Sequence, residues 1–226
     1  MPDDNKPQVC EKHSTCKEMV HKTRLIVLTG GPGAGKTAVL EIIKKQLCGP
    51  VAILPEAASI VFSGGFWRLE SPSAKQAAQR AILHVQQEME SLVVGEHKWA
   101  AGLCDRGLLD GLAYWLEDEP SFWQSAGTNL QAEYARYYSV IHLRSPAEDL
   151  GYNHQNPLRV ESASQAAKID EKIFSIWSKH PHYHMVESTT DFLTKAQKAI
   201  SYIVDDLPEC CRPGFLNMGK ALPDNV

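Results

Sequence analysis

Residues 30–37 read GGPGAGKT, and this stretch constrains the folding of the chain most strongly. Four of its first six residues are glycine, which frees the backbone for conformations closed to other side chains. Ahead of it, RLIVLT from Arg24 is a β-branched and aliphatic run that reads as a strand buried on both faces. Behind it, Val39, Leu40, Ile43 and Leu47 recur at helical spacing until Gly49-Pro50 stops the helix. Strand, bend and helix together supply G-x-x-x-x-G-K-[ST] with the structural context that pattern requires. Gly30, Gly31, Pro32, Gly33, Ala34 and Gly35 are then expected to ring a polyphosphate, all but Pro32 with main-chain N–H groups to offer, reinforced by the helix dipole. Lys36 is expected on the β and γ phosphate oxygens and the Thr37 hydroxyl on Mg²⁺. ATP with Mg²⁺ is the expected ligand pair, with ATP against GTP left open.

The rest of the chain alternates in the same way. VAIL at 51–54 reads as a second strand. A long amphipathic helix over 74–93 is expected to place Ala74, Ala78, Ile82, Val85, Leu92 and Val93 on its inner stripe. A third strand runs near Trp99–Cys104, with Asp105 at its end, and a helix near Leu108–Trp115 follows. A loop punctuated by Pro and Gly leads to a short helix around Leu130–Tyr137 and a fourth strand at 139–143. Residues 145–163 are polar and read as a flap. A helix over Ser164–Lys179, a fifth strand near His182–Val186 and a last helix complete the pattern, the last helix with Phe192, Ala196, Ile200 and Ile203 facing the sheet. Strands separated by helices imply a parallel sheet with right-handed crossovers. The expected class is α/β, a three-layer α/β/α domain with a five-stranded parallel sheet over residues 23–207. A polar arm at 1–22 and a tail at 208–226 flank it.

Twenty-three Lys and Arg against 27 Asp and Glu leave a net charge of −4, so no global positive field draws the chain to nucleic acid or anionic lipid. No run approaches the ~20 apolar residues of a membrane helix, and the polar first twenty residues hold no signal-peptide core. A cytoplasmic protein is expected, with a nucleotide and a small-molecule acceptor as its partners. Six cysteines without a C-x-x-C pair read as reduced structural thiols, although vicinal Cys210 and Cys211 would also suit redox chemistry or a soft metal.

No N-K-x-D base-recognition sequence and no L-S-G-G-Q-like segment is present, which argues against common GTPase switches and transporter ATPases. The third strand ends in CDRG, where Arg106 follows Asp105 in place of the second carboxylate usual in hydrolytic ATPases. With GGPGAGKT at 30–37, LPEAAS at 54–59, CDRGLLDGLAY at 104–114 and NPLRVES at 156–162, the chain resembles the NadR-type, AAA-like P-loop ATPases and kinases within the nucleoside and nucleotide kinase group. Asp105-Arg106 with Ala113-Tyr114 is also similar to the spacing in thymidylate kinases, and the acid-Arg pair to deoxynucleoside kinases. The resemblance implies a five-stranded parallel core, Mg-ATP and an arginine-bearing lid. Gly107 departs from the bulky or hydroxyl residue of those kinases, and Arg159 is the one arginine between residues 145 and 163.

Beyond the glycine bend, five positions carry candidate chemistry. Glu56, just after the second strand, either anchors or deprotonates an acceptor hydroxyl or serves the dipole of the helix from Ala57. Asp105 either holds water of the Mg²⁺ shell or caps its strand. Arg106 either clamps an acceptor or phosphate or forms an internal ion pair. Arg144 and Arg159 either swing over the γ-phosphate or face solvent, with Glu161 placed to steady Arg159. Asp110 is expected to complement the first turn of its own helix. His180, His182 and His184 alternate as if on one strand face, which would suit Zn²⁺ or nothing at all, and Trp67, Trp115, Trp123 and Trp177 read as core. These readings favour a phosphotransferase that moves the γ-phosphate of ATP to a small nucleoside- or nucleotide-like acceptor. A hydrolytic ATPase or switch, and a non-catalytic binding module, are the alternatives.

Overall fold

The computed structural model of the protein describes residues 22–45, 47, 50–145, 163–189 and 191–212. Five strands form one parallel sheet in the order β2-β3-β1-β4-β5: β1 (Arg24–Thr29), β2 (Val51–Leu54), β3 (Ala101–Asp105), β4 (Tyr137–Leu143) and β5 (Tyr183–Val186). The helices between them are α1 (Lys36–Lys44), α2 (Ala57–Ser63), α3 (Pro72–Gly95), α4 (Asp110–Tyr114), α5 (Glu119–Ala126), α6 (Leu130–Arg136), α7 (Ala163–Trp177) and α8 (Phe192–Asp206). This is the five-stranded α/β/α class expected.

β1 is central because both of its faces are apolar. Ile26 and Leu28 join a core with Val39 and Ile43 of α1 and with Ala199 and Ile203 of α8. Leu25 and Val27 turn to the other face, where Leu83, Phe122, Ile173 and Trp177 meet them. Parallel pairing sets Leu28 opposite Asp105, so the glycine bend after β1 and the acid at the end of β3 emerge side by side. The chain runs from β1 to edge strand β2 and back to β3, then crosses β1 to β4. A crevice above the carboxyl ends of β1 and β3 is the consequence.

Several expectations need correction. The loop after residue 115 contains α5, whose signals were in plain sight: Asp118 accepts the Ser121 N–H, Pro120 sits in the first turn, and Gly127 closes the helix at φ 64°. On α3 Ala78 and Val93 are buried as expected, but the buried face also holds Leu83 and the polar Gln76, Gln86 and Glu90, while Leu92 is exposed. Phe192 opens α8 partly exposed instead of facing the sheet. Trp67 is 77% exposed, whereas Trp177 and Trp115 are buried as expected.

The three histidines do not share a strand face. His180 is buried in the turn before β5 and bonds the Tyr134 and Tyr137 carbonyls, His182 stacks on Tyr138, and His184 stacks on Tyr202. Among the described residues no cluster of three or more His, Cys, Asp or Glu side chains suits a metal ion. Cys104 and Cys211 are buried, and the Cys210 side chain lies outside the described residues. No helix among the described residues is long and apolar enough to cross a membrane.

Candidate active site

The glycine bend crosses from β1 to α1 with positive φ at Gly30, Gly33 and Gly35. At Gly30 glycine is obligatory for space as well, since a Cβ would lie 2.1 Å from the Leu143 carbonyl oxygen. Gly35 caps α1 at φ 93°, no side chain caps that helix, and the N–H groups of its first turn have no intrahelical partner. Those amides and the positive end of α1 make a site for anionic oxygens. Lys36 lies inside the bend, where its ammonium donates to Gly30 O at 2.9 Å and Gly31 O at 3.2 Å. Burial, with the nearby Arg106 charge, lowers its pKa to about 8.

The bend is held from behind by groups that the sequence reading missed. The Asp170 carboxylate on α7 accepts the Gly31 N–H at 2.7 Å and His142 Nε2 at 2.9 Å. Lys195 on α8 donates to Ala34 O at 3.0 Å and Arg144 O at 2.6 Å, and Ser145 Oγ donates to Pro32 O at 3.2 Å. Gly31 therefore turns its amide away from the cradle, contrary to the expectation for that residue. Both acid and lysine were detectable as charges on buried stripes: Asp170 lies at helical spacing between Ala166 and Ile173, and Lys195 lies four residues before Ala199.

Across β1 and β3 the expected residues converge. Thr37 Oγ1 donates to Asp105 Oδ2 at 3.1 Å, while Asp105 Oδ1 is buried with no hydrogen-bond partner. Burial raises the Asp105 pKa. An orphaned carboxylate oxygen beside a threonine hydroxyl at a helix N-terminus fits a hydrated Mg²⁺, which takes few protein ligands and keeps its waters.

Glu56 follows β2 and accepts Arg106 Nε at 2.9 Å and Ser59 Oγ at 2.7 Å. It stands at the N-cap of α2 but its side chain makes no cap bond. Burial alone would raise its pKa, but the Arg106 and Lys36 charges outweigh this and bring it down to about 2. Arg106 also donates through Nη1 to Gly30 O at 3.1 Å and Asp110 Oδ2 at 3.2 Å. Asp110 stands in the first turn of α4 as expected, but not as a surface group. It is buried, and it accepts Thr29 Oγ1 at 2.7 Å and the Trp177 indole N–H at 2.6 Å.

A cleft of about 730 Å³ runs from Gly33, Lys36 and Thr37 over Glu56 and Arg106 and between α2 and α3. Phe62, Trp67, Tyr114, Trp115 and Phe122 are also among its lining residues. Arg144 is not part of this group. It pairs with Glu171 at 2.9 Å and Asp170 at 3.3 Å and lies over the Phe174 ring. Arg159, Glu161 and the flap expected at 145–163 lie outside the described residues, apart from Ser145 and Ala163.

A family model described as an AAA domain matches residues 25–194. No curated protein sequence matches the chain. Among solved structures, the chain is similar to a thymidylate kinase from Candida albicans, at 16% identity and a TM-score of 0.56, covering 82% of this chain and 93% of that one. It is likewise similar to a thymidylate kinase from Ehrlichia chaffeensis, at 14% identity and a TM-score of 0.51, covering 80% and 98%. At these identities the likeness is one of fold.

Proposed function

Since this chain belongs to the AAA domain family, with the fold of nucleotide kinases, we propose that it is a phosphotransferase that moves the γ-phosphate of Mg-ATP to a small nucleoside- or nucleotide-like acceptor. The observation that carries this reading is one cleft that joins the glycine bend to Glu56 and Arg106 and is lined as well by Phe62, Trp67 and Tyr114. A hydrolytic site needs room for water alone. Aromatic side chains such as Phe62, Trp67 and Tyr114 in its lining suit a flat, ring-bearing molecule. The NadR-type likeness of the sequence motifs agrees with this.

In the proposed reaction the first-turn amides of α1 and the Lys36 ammonium hold the β and γ phosphates. Thr37 and Asp105 would hold Mg²⁺, which neutralises phosphate charge when bound. Glu56 accepts the hydrogen bond of the acceptor hydroxyl and aims its oxygen at the γ-phosphorus. The new P–O bond forms as the bond to the β-phosphate oxygen breaks, and ADP leaves. The hydroxyl proton departs through Glu56 to water. A carboxylate of pKa about 2 is a weak base, but phosphoryl transfer through a loose transition state demands orientation more than proton abstraction. Arg106 bridges the two halves of the site by touching both Glu56 and Gly30 O. Arg159 remains a proposed phosphate contact on its sequence position alone, Arg144 would have to leave Glu171 and Asp170 to become one, and a cytoplasmic setting belongs to the same reading.

ADP release from Mg-ATP, measured with a panel of nucleosides, nucleotides and pyridine ribosides, tests this function. Release that rises strongly with one acceptor supports it. Steady acceptor-independent release selects an ATPase or switch, and binding without turnover selects a non-catalytic module.

A further inference from the structure

Arg106 is one of two non-glycine residues at positive φ among the described residues, at 78°. L side chains rarely adopt that conformation, so the surroundings must impose it. Its own N–H donates to Leu28 O at 3.1 Å, which fixes the end of β3. The next two links come from elsewhere in the fold. Gln86 on α3 donates through Nε2 to Arg106 O at 3.1 Å, and the Tyr137 hydroxyl accepts the Leu108 N–H at 2.9 Å. Between them Gly107 is pressed against Trp177 and Val27, where a Cβ would meet ring and methyl carbons at 2.9 and 3.0 Å.

Gln86 and Tyr137 both end on Glu90, which is 0% exposed. Gln86 Nε2 donates to Glu90 Oε1 at 2.7 Å, and the Tyr137 hydroxyl donates to the same carboxylate at 2.9 and 3.0 Å. The carboxylate decides which way these neighbours face. It turns the Gln86 amide nitrogen inward, leaving the second N–H for Arg106 O, and it takes the Tyr137 proton, leaving a lone pair for Leu108. Arg136 donates to Glu90 at 2.7 Å and to Glu133 at 2.9 Å, so the cluster is a closed network of Gln86, Glu90, Glu133, Arg136 and Tyr137 beside the Cys104 thiol. Buried ionic networks contribute little net stability compared with apolar packing, and geometry is what this one supplies.

We propose that Gln86 and Tyr137, anchored on Glu90, are positioning residues that hold the main chain of residues 106–108 so that the Arg106 guanidinium meets Glu56 in the cleft. This rests on the phosphotransferase reading for its effect on rate, but not for its effect on Arg106 itself. Gln86→Met keeps length and removes the donor. It is expected to lower kcat about tenfold, one hydrogen bond's worth, with acceptor KM and Mg-ATP affinity nearly unchanged. The ¹⁵N-arginine spectrum is expected to show the Arg106 Nε–H resonance displaced from its wild-type position. Tyr137→Phe should move the same resonance. An unmoved resonance in the folded variants overturns the proposal, as does a change in acceptor KM alone, which would make Gln86 a substrate contact. If neither variant folds, wild type decides: Gln86 side-chain amide protons protected from exchange support the proposal, and unprotected ones overturn it. Absence of acceptor-dependent ADP release in wild type would remove the kinase reading and leave the resonance to judge this one.

Discussion

Asp170 accepts the N–H of Gly31 at 2.7 Å, tying the middle of helix α7 to the second residue of the phosphate-facing bend. The same carboxylate takes His142 at 2.9 Å and the Ser145 N–H at 3.3 Å, so one side chain sets the bend against β4 and the segment after it. Asp170→Asn should weaken Mg-ATP binding about tenfold, the effect of a lost charge-assisted hydrogen bond, without unfolding the protein. Gly31→Ala should be worse, because its Cβ would stand 2.5 Å from Ser145 Oγ and 2.8 Å from Asp170 Cβ. Titration calorimetry checks both, and wild-type affinity in either variant would refute this role for α7.

Lys36 provides a pH signature. Burial first, then the Arg106 charge, bring the free protein's lysine to about 8, and phosphate oxygens bound beside it favour the charged form. Binding therefore takes up a proton when the pH exceeds about 8, and Mg-ATP affinity falls as pH rises from there. Calorimetry near pH 8.5 in buffers of different ionisation enthalpy should detect this uptake, and Lys36→Arg should abolish it.

Glu56→Gln should reduce kcat by about two orders of magnitude while leaving Mg-ATP affinity within about a factor of three. Because the Arg106 and Lys36 charges overcome burial and hold Glu56 at about 2, its ionisation should place no acid limb in the rate profile above about pH 3. An acid limb near pH 5 that vanishes in Glu56→Gln would show a carboxylate free of Arg106.

Glu90 should influence stability in the opposite sense to a salt-bridged surface acid. Burial, only partly offset by Arg136, lifts its carboxyl from the ordinary 4.5 to about 7. Between those values the folded state binds more protons than the unfolded state, so this group's contribution is complete below about 4.5 and is lost as pH rises through about 7. The margin of wild type over Glu90→Gln in chemical denaturation should shrink across that window. A margin that grows would mean that Arg136 outweighs burial and holds the carboxyl below its ordinary 4.5.

The parallel sheet was legible because β1 is a continuous apolar run and helical patterns separate the strands, and clustered glycines announce the bend, whereas the strand order came only with the structure. Glu56, Asp105 and Arg106 were legible for a related reason, since they follow strands and the crevice opens at strand ends. Their mutual pairing was not, because 50 residues separate Glu56 from Arg106 and no local period links them. Asp170 and Lys195 were passed over, and the partners of Asp110 unforeseen, because a charge on an apolar stripe looks like an interruption until its partners across the fold are known. Helix α5 was hidden behind its own Pro120 and Gly127, which mark a loop when read singly and a capped helix when read at their spacing.

Calorimetric titration of the protein with ATP in millimolar magnesium tests the central claim most directly, with Lys36→Ala alongside. Saturable binding to one site per chain, weakened by about two to three orders of magnitude in the variant, is the expected result. No heat of association, or equal affinity in the two proteins, would contradict the assignment of residues 30–37 as a triphosphate cradle.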